Sequence, residues 1–80
     1  MPALGDVIAS NIRAERSRRR WRQRDLADLL GWSHATVSAI EIGKRQVAAG
    51  ELADICRALG VTFADLVRGA DPDDLRALGF

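Results

Sequence analysis

The chain has 80 residues and a mass of 8.7 kDa, 48% of them hydrophobic and 29% charged, with 12 Lys and Arg against 11 Asp and Glu. Surface scaling gives about 4,700 Å² folded against about 12,600 Å² unfolded, which allows one modest core and little space for a deep catalytic pocket. A net charge of +1, short apolar runs, an acidic residue as early as Asp6, one Cys and one His argue against a strongly basic nucleic-acid binder, a membrane span, a secretory leader, an internal disulfide and a zinc site.

Helical punctuation runs through the chain. Leu4, Ile8 and Ile12 recur every four residues, as on one helix face, and alternation of the strand type is missing. Gly31, Gly43, Gly60 and Gly69 fall between periodic stretches, where helix stops belong. The pattern predicts helices over 4–19, 23–30, 33–41, 49–59 and 62–68, with a sixth short helix over 72–78. Ser33 is the expected N-cap of the third helix. Thr62 with Asp65 suggests a capping box for the fifth, and Asp71-Pro72 starts the sixth. The expected core is Ile8, Ile12, Leu26, Ala27, Leu30, Val37, Ile40, Leu52, Ile55, Cys56, Leu59, Phe63 and Leu66. Cys56 is read as a buried core thiol, not a redox sensor. Asp71, Asp73 and Asp74 are read as helix-start residues, not as metal ligands.

The most informative stretch is 23–42, QRDLADLLGWSHATVSAIEI. Leu26 and Leu30 share one face with the small Ala27 beside them. Gly31 ends that helix, and Val37 and Ile40 form the inward stripe of the next. Two short helices joined by a tight turn with glycine, each with its own apolar stripe, make a helix-turn-helix. Ala27 must be small where the second helix crosses, and Trp32 plugs the corner.

Several separated words extend this likeness. Ile12-Arg13-Ala14-Glu15-Arg16, Gln23-x-x-Leu26-Ala27, Leu30-Gly31-x-Ser33, Ile40-Glu41-x-Gly43-Lys44-Arg45 and Ala58-Leu59-Gly60-Val61 stand in order over about two-thirds of the chain. The stretch from Ile12 to Leu66 resembles the Cro/C1-type (Xre family) helix-turn-helix domain of bacterial and phage repressors. The resemblance implies an all-α, five-helix, lambda-repressor-like domain over residues 1–80, with the motif at 23–42 and the short sixth helix as an addition. It implies double-stranded DNA as partner, usually bound by a homodimer on a near-palindromic operator.

Carried over position by position, the resemblance places base reading on His34, Ala35, Ser38 and Ala39. Phosphate contact falls to Gln23, Ser33, Thr36, Lys44 and Arg45. Gln23 also braces the first side chain of the recognition helix. Arg16 and Glu41 correspond to a structural salt bridge. Dimer contacts map to segment 62–80, on Phe63, Val67, Leu75, Leu78 and Phe80. No cofactor and no metal is implied.

The departures are as telling. Arg20 and Arg22 replace the usual Gly and Ser or Thr before the second helix. Arg20 is strained if φ is positive there, and Arg22 cannot cap. Gln46-Val47 replaces Asn-Pro, and Glu15 stands where many relatives have Leu. In exchange, residues 13–24 carry seven Arg against Glu15 alone, and Arg18, Arg19 and Arg22 become candidate phosphate contacts. Ala35 and Ala39 can touch thymine methyls but donate no hydrogen bond, whereas His34 and Ser38 can pair with base edges. Thin direct readout leaves a larger share to DNA shape and backbone contacts.

The near-zero net charge also resolves into two halves. Residues 1–50 hold nine basic and five acidic groups, and residues 51–80 three basic and six acidic, so a basic front and an acidic back should orient the protein towards DNA. The expected function is sequence-specific transcription regulation, as a repressor, in the cytoplasm on the nucleoid. Eleven Arg among the 12 basic residues, and abundant Ala, suggest a GC-rich bacterium or its phage. The alternative is an antitoxin or other protein-binding module on the same fold, docking its apolar C-terminal segment on a toxin. An enzyme has no support: no phosphate-cradling Gly loop, ligand cluster or acid-base pair stands out.

Overall fold

A computed structural model describes residues 3–80. Six helices follow in order: α1 Leu4–Arg18, α2 Gln23–Leu30, α3 His34–Glu41, α4 Ala49–Leu59, α5 Phe63–Leu66 and α6 Pro72–Ala77. There are no strands among the described residues. The all-α expectation therefore holds, and the sixth helix is present.

Local chemistry explains most of the boundaries. Gly31 ends α2 at φ 70°, and the Trp32 N–H donates back to the Ala27 carbonyl at 2.9 Å. That backward bond needs a left-handed residue, which costs a Cβ-bearing side chain about 1 kcal/mol or more. Ser33 Oγ accepts from the Thr36 N–H at 3.1 Å and starts α3. At α5 the box is complete: Thr62 N–H donates to Asp65 at 2.9 Å and Asp65 N–H to Thr62 Oγ1 at 3.3 Å. Asp71 caps α6 by accepting from the Asp73 N–H at 2.8 Å, with Pro72 in the first turn.

α2 starts with only half a box. The Arg22 N–H donates to Asp25 at 2.7 Å, but the Arg22 side chain has no acceptor to return. Just before it, Arg20 sits at φ 58°, the one non-glycine at positive φ among the described residues. The strained turn thus belongs to the basic segment itself.

α2 and α3 pack on each other, α1 lies against α3 and α5, and α4 packs on α2 and α5. The main core is Ile12, Leu26, Ala27, Val37, Ile40, Ile55, Leu59 and Leu66, with Trp21, Trp32 and Val47 packed at its edge. Ile8, Leu30, Leu52, Cys56 and Phe63, expected inside, are half-buried at its rim. A second cluster joins Val7, Val67 and Ala70, with Leu4, Phe63 and Leu75 against it.

Polar side chains of α1 tie the far ends of other helices down. Asn11 Nδ2 donates to the Leu66 carbonyl at 2.7 Å and the Arg68 carbonyl at 2.9 Å. These bonds satisfy carbonyls that have no partner within α5, and α5 stops at Leu66 where the sequence suggested 68. Gly43, at φ 79°, lies so close to α1 that a Cβ there would stand 3.1 Å from Asp6 Oδ1. The first turn of α1 therefore buttresses the loop that carries Lys44 and Arg45.

Candidate nucleic-acid interface

α3 is amphipathic in the strict sense of its spacing. Val37 and Ile40 are 2% exposed and face the core. His34 and Ala35 are exposed, and Ser38 and Ala39 half-buried. Positions 34, 35, 38 and 39 share the opposite face, because residues three and four apart are neighbours on a helix. Eight residues make a rod about 12 Å long and 10–12 Å across, the width of a DNA major groove at about 12 Å.

The α2 start is built against this face. Arg16 donates from Nε to Glu41 Oε2 at 2.7 Å and from Nη2 to Oε1 at 3.0 Å. It also donates to the Trp21 carbonyl at 2.6 Å, across the turn before α2. The Glu41 side chain is 1% exposed. The Arg16 guanidinium is shifted to still stronger basicity, chiefly by the Glu41 hydrogen bond, with burial opposing. Gln23 Nε2 adds a third bond to Glu41 at 3.1 Å, and Gln23 Oε1 lies 2.9 Å from His34 Nε2. Gln23 and His34 thus meet at the junction of the two helices. Ser33 and Thr36 hydroxyls pair at 2.9 Å beside them.

The basic residues divide into free and engaged ones. Arg22 and Arg18 side chains are 79% and 63% exposed, each with one carboxylate nearby, Asp25 at 3.7 Å and Glu15 at 2.8 Å. Lys44 is exposed. Arg45 is held at both ends by Glu51, at 3.1 and 2.7 Å. Glu51 in turn accepts from the Ala48 N–H at 3.0 Å. Glu51 is therefore shifted below the usual carboxylate range, first by Arg45 and then by that N–H, and Arg45 is raised. Arg45 reaches a phosphate only by leaving this pair.

Arg19 corrects the sequence reading. It donates to the Glu15 carbonyl at 2.6 Å, to Glu15 Oε1 at 3.0 Å and to the Leu59 carbonyl at the end of α4. Its guanidinium carbon stands 5.8 Å from the centre of a Trp21 ring. Both Nη groups of the fork are occupied inside the domain, so in this structure Arg19 braces α1 against the end of α4 and, like Arg45, would have to leave these bonds to reach a phosphate. Glu15 is the residue the sequence reading undervalued. It is buried, and Arg18 and Arg19 neutralise it. Its spacing of three and four to two arginines was the available signal.

Val67 is the second correction. At 1% exposed it belongs to the cluster with Val7 and Ala70 and has no surface to offer a second copy. Phe63 and Leu75 are half-buried, whereas Leu78 and Phe80 are 42% and 54% exposed. The Phe63 and Phe80 ring centres lie 6.0 Å apart. Phe63 also lines an apolar groove with Ala49, Leu52, Ala53 and Cys56. Cys56 is half-buried there, and burial, with the Asp65 charge second, pushes its thiol up and away from reactivity.

No group of three or more potential metal ligands occurs among the described residues, and none of their helices is long and apolar enough to cross a membrane.

An exposed helix seated on a glycine-ended partner, with a Gln at the junction and a basic rim, defines a helix-turn-helix DNA-binding domain. The chain belongs to the Cro/C1-type (Xre) helix-turn-helix family: the profile described as a helix-turn-helix domain matches residues 8–78. Among solved structures, it is similar to the clp gene regulator ClgR from C. glutamicum, with a TM-score of 0.77 and 30% identity over 82% of this chain and 86% of that one. The hypothetical transcription factor NHTF from Neisseria gives a TM-score of 0.77 and 30% identity over 95% and 85%. The restriction-modification controller protein C.AhdI from Aeromonas hydrophila shares the fold, with a TM-score of 0.72 at 24% identity over 76% and 92%. No curated protein matches the chain. The fold is that of transcription regulators, not of enzymes.

Proposed function

We propose that the chain is a sequence-specific double-stranded DNA-binding repressor that acts as a homodimer on a near-palindromic operator, in the cytoplasm on the nucleoid. The observation that carries this reading is the division of α3 into an inward Val37-Ile40 stripe and an outward His34, Ala35, Ser38 and Ala39 face. That outward face enters the major groove. Gln23, Ser33, Thr36, Lys44, Arg18 and Arg22 hold the phosphates, and Arg45 joins them when it releases Glu51. The regulatory roles in the names of ClgR and NHTF support the same reading. Two copies join through Phe63, Leu75, Leu78 and Phe80, and place their recognition helices on half-sites about 34 Å apart.

Selection from random duplex DNA tests this reading. The expected product is an inverted repeat with half-site centres one helical turn apart. An unenriched pool would defeat it. Sizing of the pure protein tests the second copy, and Leu78→Ser with Phe80→Ser should leave a monomer. An antitoxin would use the same patch on a toxin, and would then be a monomer alone and a heteromer with its neighbour-encoded partner.

A further inference from the structure

A chain of hydrogen bonds runs from the inside of the domain to the recognition helix, and each link decides the next. Glu41 receives bonds from Arg16 Nε, Arg16 Nη2 and Gln23 Nε2. A carboxylate only accepts, and a guanidinium only donates. Gln23 must therefore turn its NH2 group inward to Glu41 and its Oε1 outward. That Oε1 is 2.9 Å from His34 Nε2. An amide oxygen only accepts, so His34 must carry its proton on Nε2. In the neutral ring the other nitrogen, Nδ1, then has a lone pair. It has no hydrogen-bond partner among the described residues, and the side chain is exposed at the first position of α3.

We infer that Glu41, acting through Gln23, fixes His34 as the Nε2–H tautomer, so that the domain selects, opposite His34, a base whose major-groove edge offers an amino donor, adenine or cytosine. Guanine presents N7 and O6 and thymine presents O4. These acceptors would face a lone pair on Nδ1. A histidine free to change tautomer would read either kind of edge. The buried Arg16–Glu41 pair is thus a positioning device for readout as well as a tie between α1 and α3. The base selection rests on the DNA-binding reading above, but the tautomer does not.

The test uses the whole chain and has two arms. His34 is the one histidine in the sequence, so the two imidazole nitrogens of 15N-labelled protein are assigned without ambiguity in a long-range proton–nitrogen spectrum. At a pH where the ring is neutral, Nε2 should appear as a protonated nitrogen and Nδ1 as an unprotonated one. Gln23→Lys reverses the logic. A lysine ammonium only donates, so it can bond both Glu41 and His34 Nε2 and moves the ring proton to Nδ1. Gln23→Met removes both bonds without a charge, and should bring both signals towards the average of the two tautomers. A wild-type ring with Nδ1 protonated, or signals unmoved in both variants, would overturn the relay.

The second arm measures affinity for duplexes carrying each of the four bases at the position whose preference disappears in His34→Ala. Wild type should favour adenine and cytosine by about fivefold, the low end of a single base-pair effect. Gln23→Lys should reverse that order whatever its uniform gain in affinity. A preference for guanine or thymine in wild type would overturn the base selection. Failure to bind any duplex, with the tautomer as stated, would overturn the DNA-binding reading and the base selection with it, while the relay stood.

Discussion

Arg19→Met separates a brace from a phosphate ligand. The substitution keeps an unbranched apolar stem but removes the bonds to Glu15 and to the Leu59 carbonyl. Glu15 is 9% exposed, and it would be left with Arg18 alone. Breaking one partner of a buried pair costs about 3–5 kcal/mol. Here the Arg19 side chain keeps 28% exposure, and solvent and Arg18 screen the charge left behind, which lowers the figure to about 2–3 kcal/mol. For a chain of this length, that is a fall in Tm of about 10–20 °C. Thermal unfolding followed by circular dichroism measures it. The double variant Glu15→Leu with Arg19→Met leaves no buried carboxylate at this site and should recover most of the loss. Salt titration of DNA binding supplies the contrast: the slope of log affinity against log salt should be unchanged in Arg19→Met. A variant that melts within a few degrees of wild type, and whose slope falls by about one, would refute the brace.

Three further outcomes follow from the same geometry. Arg18→Gln with Arg22→Gln should flatten the salt slope by about two, one phosphate each, and weaken binding to all sequences alike. Arg20→Gly should raise stability by about 1 kcal/mol, because φ there is 58° and glycine bears no Cβ penalty; denaturant unfolding checks the sign. Glu51→Gln should be less stable than wild type at neutral pH. Because folding lowers the Glu51 pKa, the stabilisation is full above the ordinary carboxylate value and lost as pH falls through the depressed one. The gap between the two proteins should therefore close below about pH 4, and a gap independent of pH would contradict it.

Much of the architecture was legible because its signals are local. Ser33, Thr62 and Asp71-Pro72 mark starts within three residues of the groups they cap, and Gly31 and Gly60 mark stops. The inward stripe of α3 follows from spacing alone. What escaped depends on distant partners. Arg19 finds the Leu59 carbonyl 40 residues away, and no property of a basic run tells that fork from a solvated one. Val7 and Val67 meet only once α5 lies against α1. A stripe of Leu4, Ile8 and Ile12 was too narrow a view of a helix whose buried face also takes in its neighbours. At the candidate interface, the positions came from family resemblance and the connections from structure. Gln23, His34, Arg16 and Glu41 could be named from sequence, but not joined in one hydrogen-bonded line.

The central claim is that the outward face of α3 and its basic rim are the DNA-binding surface. Backbone amide shifts of the labelled protein, followed as a selected duplex is added, test it most directly. The largest changes should fall on Arg18, Arg22, Gln23, residues 33–39 and Lys44, with α4 to α6 little affected. Changes concentrated on the groove of Leu52, Cys56 and Phe63, with α3 silent, would contradict the account.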